Sequence, residues 1–416
     1  MADRVYLCLA HMSETGEEQK YIKEAFDTNW VVPLGPNVNG FEDDLKEFVG
    51  GGKEVVALCS GTAAVHLALL ACGVGSGDEV ITQSFTFCAS SHPITYLGAT
   101  PVFIDSEPDT WNMDPKLTEE AIKDRIAKTG KKPKAIVVAY LYGMPGYIDE
   151  LKEIADRYEI PLIEDAAEGL GSTYKGKVVG TFGQYGVLSF NGNKMITTSG
   201  GGALICPNKE AKEKIMWWAT QARESYPYYQ HEAIGYNYRL SNVCAGIGRG
   251  QMTVLNDHLA HHRRLAEVYK QAFANVEGIT FHDDIENMES NFWLSTILLD
   301  ENLKVKGEEQ AYAEAVQGAV GGAAGVVHKG GTVHTDCEPN RNVEAMRLAL
   351  LAEGIESRPL WKPMHKQPVY KNAPAYVNGV SEALFKRGLC LPSGPMVTDD
   401  DVSRIIKTIK DSIILS

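Results

Sequence analysis

The first half of the chain alternates short apolar runs with amphipathic stretches. An amphipathic helix is predicted at residues 16–28, and a loop with two prolines and a glycine follows at residues 30–37. Short apolar runs then predict buried strands at residues 79–82, 101–104, 135–139, 161–163, 187–190 and 203–206. Helical patterns between the earlier runs cover residues 63–72, 117–127 and 149–158. This alternation predicts an α/β fold with a mostly parallel sheet covered by helices on both faces.

The second half of the chain has a different pattern. A long helical pattern at residues 241–273 leads from a large domain, predicted at residues 1–259, into a smaller α+β domain at residues 260–416. The smaller domain has predicted strands at residues 293–299 and 354–359 and predicted helices at residues 342–353 and 399–414. Residues 303–340 are predicted to form an inserted excursion, partly helical at 308–316. Connections of this length are uncommon unless they are functional or disordered.

The net charge of the chain limits the partners that it can bind, and its cysteine pattern indicates the state of its thiols. The 416-residue chain has a net charge of −14, which argues against nucleic acid or an anionic membrane as its main partner. No apolar stretch reaches about 20 residues, and the first residues lack a signal-peptide pattern, so we expect a cytoplasmic protein. The eight cysteines are scattered without a C-x-x-C pair, which indicates isolated reduced thiols.

Two motifs follow predicted strands and could bind a charged ligand. Ser60-Gly61-Thr62 begins a helical pattern, where free backbone N–H groups can hold a phosphate, although a simple helix cap is the alternative. Asp165 stands at the carboxyl end of the strand at residues 161–163, the edge at which open α/β sheets bind ligands. A buried carboxylate there needs a cation or several donors, and the alternative is again a helix cap.

Two further motifs lie beyond the next strand. Lys194 lies in a polar, glycine-rich turn within residues 189–202, and a lysine acting as a nucleophile must be partly neutral. The alternative for a lysine in a loop is simple solvation. Residues 235–242 are aromatic and polar before the long helix begins, with a cap at Ser241 or Asn242 as the simpler interpretation.

Three histidines cluster on the predicted long helix. His258 and His262 are four residues apart and could in principle share a metal ion, with His261 beside them. No carboxylate motif accompanies them, so we interpret the cluster as a solvated helix face and predict no metal site.

Together the four motifs resemble the DegT–DnrJ–StrS family of nucleotide-sugar aminotransferases. The resemblance begins near residue 21 and reaches the C-terminus apart from the excursion, through matching stretches at residues 60–69, 78–87, 97–105, 164–171, 189–202 and 235–242. It implies the fold-type I architecture of aspartate aminotransferase, with a mostly parallel seven-stranded sheet between helices. Residues 355–368 (IESRPLWKPMHKQP) resemble the branch that aminates 4-keto-6-deoxy sugars linked to UDP.

The resemblance implies a cofactor, pyridoxal 5'-phosphate, and its amine form pyridoxamine phosphate. Lys194 would bind it covalently and, once released, carry the proton between substrate and cofactor carbons. Asp165 would pair with the protonated ring nitrogen. The remaining cofactor contacts would come from Gly61 and Thr62 with Ser189 at the phosphate, Phe87 on the ring face, Glu168 near the phenolic oxygen, and Asn237 of a neighbouring subunit.

The resemblance also implies the partners. Glutamate would donate the amino group, and a UDP-linked 4-keto-6-deoxy hexose with a 2-acetamido group would accept it, for bacterial surface glycans. A homodimer with shared active sites is expected. Candidate substrate residues are Pro33, Leu34, Arg358, Trp361 and His365, with a structural role as the alternative for His365.

Three other functions remain as alternatives. A sugar dehydratase has the same fold, although some dehydratases replace the lysine that Lys194 supplies here. A non-catalytic cofactor- or sugar-binding regulator would not need both Lys194 and Asp165. A nicotinamide enzyme is disfavoured because no G-x-G-x-x-G follows an early strand.

Overall fold

A computed structural model describes residues 4–312 and 337–414. The helices of these residues, α1 to α12, are Glu17–Asp27, Pro36–Val49, Gly61–Ala71, His92–Tyr96, Pro115–Thr129, Ile148–Arg157, Lys209–Ala219, Asn242–Met252, Leu255–Phe273, Arg341–Ala352, Val380–Arg387 and Asp399–Ser412. The strands, β1 to β15, are Glu54–Leu58, Glu79–Gln83, Thr100–Ile104, Ala135–Ala139, Leu162–Asp165, Thr173–Tyr174, Lys177–Val178, Tyr185–Ser189, Gly202–Cys206, Ile279–Phe281, Met288–Glu289, Ser295–Leu299, Arg358–Pro359, Ala375–Tyr376 and Gly388–Leu391.

The large sheet has the strand order β1-β9-β8-β5-β4-β2-β3-β14. β9 is antiparallel to both of its neighbours, and the other neighbouring strands pair in parallel. The predicted mostly parallel sheet is therefore confirmed. The seven expected strands are joined by an eighth, the two-residue β14, which extends the edge beside β3. All five residues of β4 are buried, as expected for an apolar strand with both faces covered.

A second sheet and a second core lie in the C-terminal part of the chain. This sheet has the order β10-β12-β15-β13. Its core is made with side chains of α9, α10 and α12, and Val5 from the N-terminal segment also packs there. The predicted domain boundary at residue 259 falls inside α9 and stays a prediction.

The long helix predicted at residues 241–273 is two helices. α8 ends at Met252 and α9 begins at Leu255, so the single-helix prediction is wrong. At the break, the Thr253 hydroxyl donates to the Gly250 carbonyl at 2.6 Å. A side chain that occupies a backbone acceptor in this way competes with helix continuation.

Three other element predictions differ from the structure. The loop predicted at residues 30–37 ends earlier, because Pro36 begins α2, where its fixed φ and missing N–H suit a first helical turn. The strand predicted at residues 354–359 is limited to β13. Of the helix predicted at residues 308–316, residues 308–312 are described and contain only the 3-10 turn Glu308–Gln310, and residues 313–316 lie outside the described residues.

Most of the predicted excursion at residues 303–340 also lies outside the described residues, which omit 313–336. In the two described ranges, no helix has both the length and the apolar character that crossing a bilayer requires.

Candidate active site

A cavity of about 320 Å³ opens at the carboxyl ends of the parallel strands. Eight of the residues predicted from the sequence line it, namely Gly61, Thr62, Phe87, Asp165, Glu168, Ser189, Lys194 and Trp361. Residues that were not predicted complete the wall, including Thr86, Ser90, Tyr140, Asn191, Asn193 and Trp293. Parallel strands end at one edge of the sheet, so the fold gathers residues that are more than a hundred positions apart.

The first turn of α3 forms part of the cavity wall. Ser60 caps this helix, and its Oγ accepts from the Ala63 N–H at 3.0 Å. The backbone N–H groups of Gly61 and Thr62 belong to the first turn and have no acceptor within the helix. Capping and phosphate binding are therefore compatible at this helix start.

Close packing beside this helix start depends on glycine. A Cβ at Gly61 would lie 3.1 Å from the Cβ of Ser189, and a Cβ at Gly202 would lie 2.4 Å from the nitrogen of Gly61. Strand β9 and the Ser189 side chain thus sit directly beside the free N–H groups. The arrangement is a cradle for a small oxyanion.

Asp165 also lines the cavity, with 6% of its surface exposed. Its carboxylate accepts from the Ser90 hydroxyl at 2.7 Å and from the Ala167 N–H at 3.2 Å. Burial raises the pKa of Asp165 above its ordinary value, although these two donors and the nearby Lys194 oppose the shift. A carboxylate in this state gains stability from a further cationic donor.

The amine of Lys194 enters the same cavity. Its side chain is 13% exposed, and its Nζ lies 3.6 Å from Oε1 of Glu168. On its other side, Nζ lies 4.0 Å from the centre of the Trp293 ring. A contact of this kind stabilises a cation by about 0.5–2 kcal/mol.

Glu168 is held in place by the backbone. Its Oε2 accepts from the Tyr142 N–H at 2.8 Å, and its side chain is 8% exposed. Burial raises the pKa of Glu168, whereas the Lys194 ammonium opposes this shift. The Glu168 carboxyl group therefore lies between the backbone N–H of Tyr142, which is fixed, and the ammonium of Lys194, which is on a flexible side chain.

These three features fit pyridoxal phosphate. The cradle at α3 suits its phosphate, the buried Asp165 suits its ring nitrogen, and Lys194 suits its aldehyde. Phe87, half of whose surface is exposed, and Trp361 form an aromatic wall at the mouth, with ring centres 5.8 Å apart.

Comparison with known proteins agrees with this fit. The chain matches the DegT/DnrJ/EryC1/StrS aminotransferase family over residues 12–325 and 324–410. The chain belongs to this family. It is an enzyme, a pyridoxal-phosphate-dependent aminotransferase.

Three similar proteins illustrate the relationship. EpsN of Bacillus subtilis (strain 168), named as a candidate pyridoxal-phosphate-dependent aminotransferase, is 45% identical over 413 residues, covering 98% of this chain and 96% of EpsN. A GDP-perosamine synthase of Escherichia coli O157:H7 is 32% identical over 406 residues, covering 98% of both proteins. The crystal structure of a DegT/DnrJ/EryC1/StrS aminotransferase from Brucella abortus superposes with a TM-score of 0.81 at 27% identity and 95% coverage of each chain.

Five predicted residues of the aminotransferase, three of them in one place, do not line this cavity. Asn237, Pro33 and Leu34 line a second surface cavity together with Arg239 and Tyr226. A contact from Asn237 to a cofactor in the first cavity would therefore have to be made in a neighbouring subunit, as expected from the sequence. That role stays a prediction.

Two other predicted substrate residues have protein partners. Arg358 pairs with Glu356 at 2.9 Å. The ring nitrogens of His365 lie 2.6 Å from the Ser84 hydroxyl and 3.3 Å from Glu382. These contacts agree with the structural alternative for His365, and a role of either residue in substrate binding stays a prediction.

The interpretation of the three histidines as a solvated face is wrong. His258 is 6% exposed and His262 is fully buried, because the α9 face that carries them packs inward. Their Nδ1 atoms lie 3.1 Å from the Met195 carbonyl and 3.0 Å from the Phe292 carbonyl. Burial lowers the pKa of His262 to about 3. In the part of the chain that the structure describes, no group of three or more metal-binding side chains is found.

Ser90 and Trp293 are two of the cavity residues that were not predicted from the sequence. Ser90 lies in a stretch of small polar residues that resembles ordinary loop sequence, and Trp293 opens a predicted strand. Nothing in their local sequence connects them to Asp165 or Lys194. Only the fold brings Ser90 to Asp165 across 75 positions and Trp293 to Lys194 across 99.

Proposed function

We propose that this aminotransferase moves an amino group from glutamate to the 4-keto carbon of a UDP-linked 4-keto-6-deoxy hexose, with a 2-acetamido group, for bacterial surface glycans. The observation that carries the proposal is the joint placement of Lys194, Asp165 and the α3 cradle in one cavity. Phe87 and Trp361 line the mouth, where they offer the apolar face of a sugar a surface to pack on.

The chemistry of each step follows from the residues. Pyridoxal phosphate, when bound, supplies an electron sink and stores the amine between the two half-reactions. Asp165 keeps a positive charge at the ring nitrogen, because its buried carboxylate is stabilised by that charge. Lys194 moves the proton at the reacting carbon, and Glu168, 3.6 Å away, holds the ammonium when the lysine is free. Trp293, with 2% of its surface exposed, keeps water from one side of the amine.

Relatives support an activated sugar as the acceptor. The name of the E. coli relative is that of an enzyme for a GDP-linked amino sugar, and the match covers nearly the whole of both chains. A GDP-linked acceptor is therefore the second candidate. UDP is proposed first because of the sequence of residues 355–368, which includes Trp361 of the aromatic wall.

The second cavity supports a homodimer with shared active sites. Leu34 and Tyr226 of its lining are exposed, and so are further large apolar side chains close to them in the chain, namely Trp30, Val31, Val32, Tyr228, Tyr229 and Ile234. Exposed apolar surface of this kind is typical of a protein interface. We propose that a second copy covers it and receives Asn237, and that the enzyme acts in the cytoplasm, where nucleotide sugars would be its substrates.

The test examines the amino donor, glutamate, and the amino acceptor, the keto-sugar, in separate steps. Glutamate alone should bleach the visible band of the lysine-bound cofactor and release a keto acid, because the first half-reaction needs no sugar. UDP- and GDP-linked 4-keto-6-deoxy sugars, with and without the acetamido group, should then each be added to the bleached enzyme. Recovery of the band with the UDP sugar supports the proposal, and recovery with the GDP sugar alone supports the second candidate. No bleaching by glutamate would exclude it as the donor.

A matched pair of variants provides the control. Lys194→Ala should lose the cofactor bond that borohydride reduction traps, detected by mass spectrometry. Lys209→Ala, at a lysine that is 81% exposed and outside the cavity, should keep that bond.

A further inference from the structure

The C-terminal segment that carries Trp361 crosses the ends of two neighbouring strands. β2 and β4 pair in parallel, Ser84 directly follows β2, and Tyr142 follows β4 by three residues. The backbone N–H of Trp361 donates to the Tyr142 hydroxyl oxygen at 2.7 Å. Three residues on, the backbone N–H of Met364 donates to the Ser84 carbonyl at 2.8 Å. The segment is thus fixed at two points above the cavity.

Tyr142 is an unusual residue for this position. It is 2% exposed, and its φ of 56° lies in the left-handed region that bulky side chains rarely adopt. Such a conformation persists where surrounding contacts over-determine it. Tyr142 is held by hydrogen bonds at both ends, because its backbone N–H donates to Glu168 and its hydroxyl accepts from the Trp361 N–H.

The two contacts join the two sides of the cavity. On the inner side, Glu168 lies 3.6 Å from the amine of Lys194. On the outer side, the Trp361 ring lies 5.7 Å from the Tyr142 ring and 5.8 Å from the Phe87 ring. Trp361 belongs to the C-terminal part of the chain, whereas Tyr142 and Phe87 belong to the large sheet, so Tyr142 connects two parts of the structure.

We propose that Tyr142 is a positioning residue that sets the outer wall of the amino-acceptor site by holding Trp361 against Phe87. The proposal rests on the proposed function, since the wall matters only if the second half-reaction uses a sugar. The Tyr142 hydroxyl accepts from the Trp361 N–H and so holds the outer wall, whereas the Tyr142 backbone N–H donates to Glu168. Removing the hydroxyl alone should therefore weaken binding of the sugar that accepts the amino group and leave the half-reaction with glutamate intact.

Tyr142→Phe tests this division. The variant leaves the Trp361 N–H without its acceptor, and we expect KM for the keto-sugar to rise about fivefold or more, as for a lost buried hydrogen bond. The rate of the glutamate half-reaction should change by less than about twofold, because the N–H to Glu168 remains. Ser84→Ala keeps the carbonyl that accepts from Met364 but removes the hydroxyl that accepts from the His365 N–H at 3.2 Å, a further contact to the same segment, and should raise the same KM. A merely structural loss would lower both half-reactions together.

A second measurement does not depend on turnover. Protein labelled with 5-fluorotryptophan gives a ¹⁹F resonance for each of its six tryptophans, and Trp361→Phe identifies one of them. Tyr142→Phe should shift the Trp361 resonance. Tyr269→Phe is the matched control: it also removes a buried hydroxyl, one that donates to the Pro392 carbonyl at 2.8 Å in the second core, and should leave that resonance in place.

The outcomes distinguish the two proposals. An unshifted Trp361 resonance, or an unchanged KM in an enzyme that does aminate the keto-sugar, overturns the role of Tyr142 and leaves the proposed function intact. If the wild-type enzyme aminates none of the sugars, the proposed function itself fails, and the acceptor role of Tyr142 fails with it.

Discussion

The indole of Trp293 contacts Lys194 and the backbone just before it. Its ring centre lies 4.0 Å from the Nζ of Lys194, and its Nε1 donates to the Asn193 carbonyl at 2.6 Å. One buried side chain therefore supports the reactive amine and also fixes the turn that carries it. The turn has no regular secondary structure of its own, so this support comes from the tertiary fold.

Trp293→Phe and Trp293→Leu should separate these two contributions. Phenylalanine keeps an aromatic face but loses the bond to Asn193, and leucine loses both. We expect apoenzyme of both variants to capture pyridoxal phosphate about fivefold more slowly than wild type, because both lose the bond that fixes the turn carrying Lys194. Leucine should be no slower than phenylalanine, because the ring contact that it also removes stabilises the charged amine, whereas the neutral amine attacks the cofactor. The amount of borohydride-trapped cofactor, followed over time, measures the rate. Equal rates in all three proteins would show that the contact has no part in capture.

Asp165→Asn should change how the stability of the apoenzyme depends on pH. Burial raises the pKa of Asp165 in the folded state, so the folded protein binds this proton more tightly than the unfolded chain does. Its contribution to stability therefore falls as pH rises from about 4, the ordinary range of an aspartate, through the raised folded value. Asparagine has no such loss.

The apoenzyme of Asp165→Asn should consequently have a higher Tm than wild type at pH 7, with the difference shrinking toward pH 4. Asp156→Asn, at a carboxylate that is 67% exposed, is the control for replacing an aspartate outside the core. With cofactor added the order should reverse, because only wild type gains the pair with the ring nitrogen. A Tm difference that does not vary with pH would contradict this account.

Ser90→Ala should weaken cofactor binding although Ser90 was not predicted as a site residue. Its hydroxyl donates to Asp165 at 2.7 Å and lies 2.8 Å from the Thr86 hydroxyl, so alanine leaves a buried carboxylate oxygen with one donor fewer. We expect Kd for pyridoxal phosphate to rise about five- to tenfold. Spectral titration measures it.

The neighbouring Ser91→Ala provides the comparison. Ser91 is also buried, but its hydroxyl donates to the Cys88 carbonyl and not to Asp165. An equal effect of both changes would indicate general loosening of this loop.

Mixing two inactive variants should restore activity if active sites are shared between subunits. Lys194→Ala and Asn237→Asp would each inactivate both sites of their own homodimer, the second by placing a negative charge at the cofactor phosphate. A mixed dimer has one site with both changes and one with neither. After random exchange of subunits, about a quarter of wild-type activity should return. Activity that stays at the level of the separate variants would place Asn237 outside the partner's site.

The sequence determined the sheet and the positions of the chemical groups. The six strands predicted between residues 79 and 206 formed because runs such as residues 135–139 are apolar throughout, and an apolar run of this length is typical of a strand buried on both faces. Asp165 and Lys194 were found because each follows such a strand, and the carboxyl ends of parallel strands share an edge.

Only the tertiary structure decided what supports these groups. The Ser90–Asp165, Trp293–Lys194 and Tyr142–Trp361 contacts join residues 75, 99 and 219 positions apart. The burial of His258 and His262 depends in the same way on what packs against α9. Hydrophobic periodicity reports which face of an element is apolar, but a contact between two elements depends on how both are placed, and no local pattern of residues contains that information.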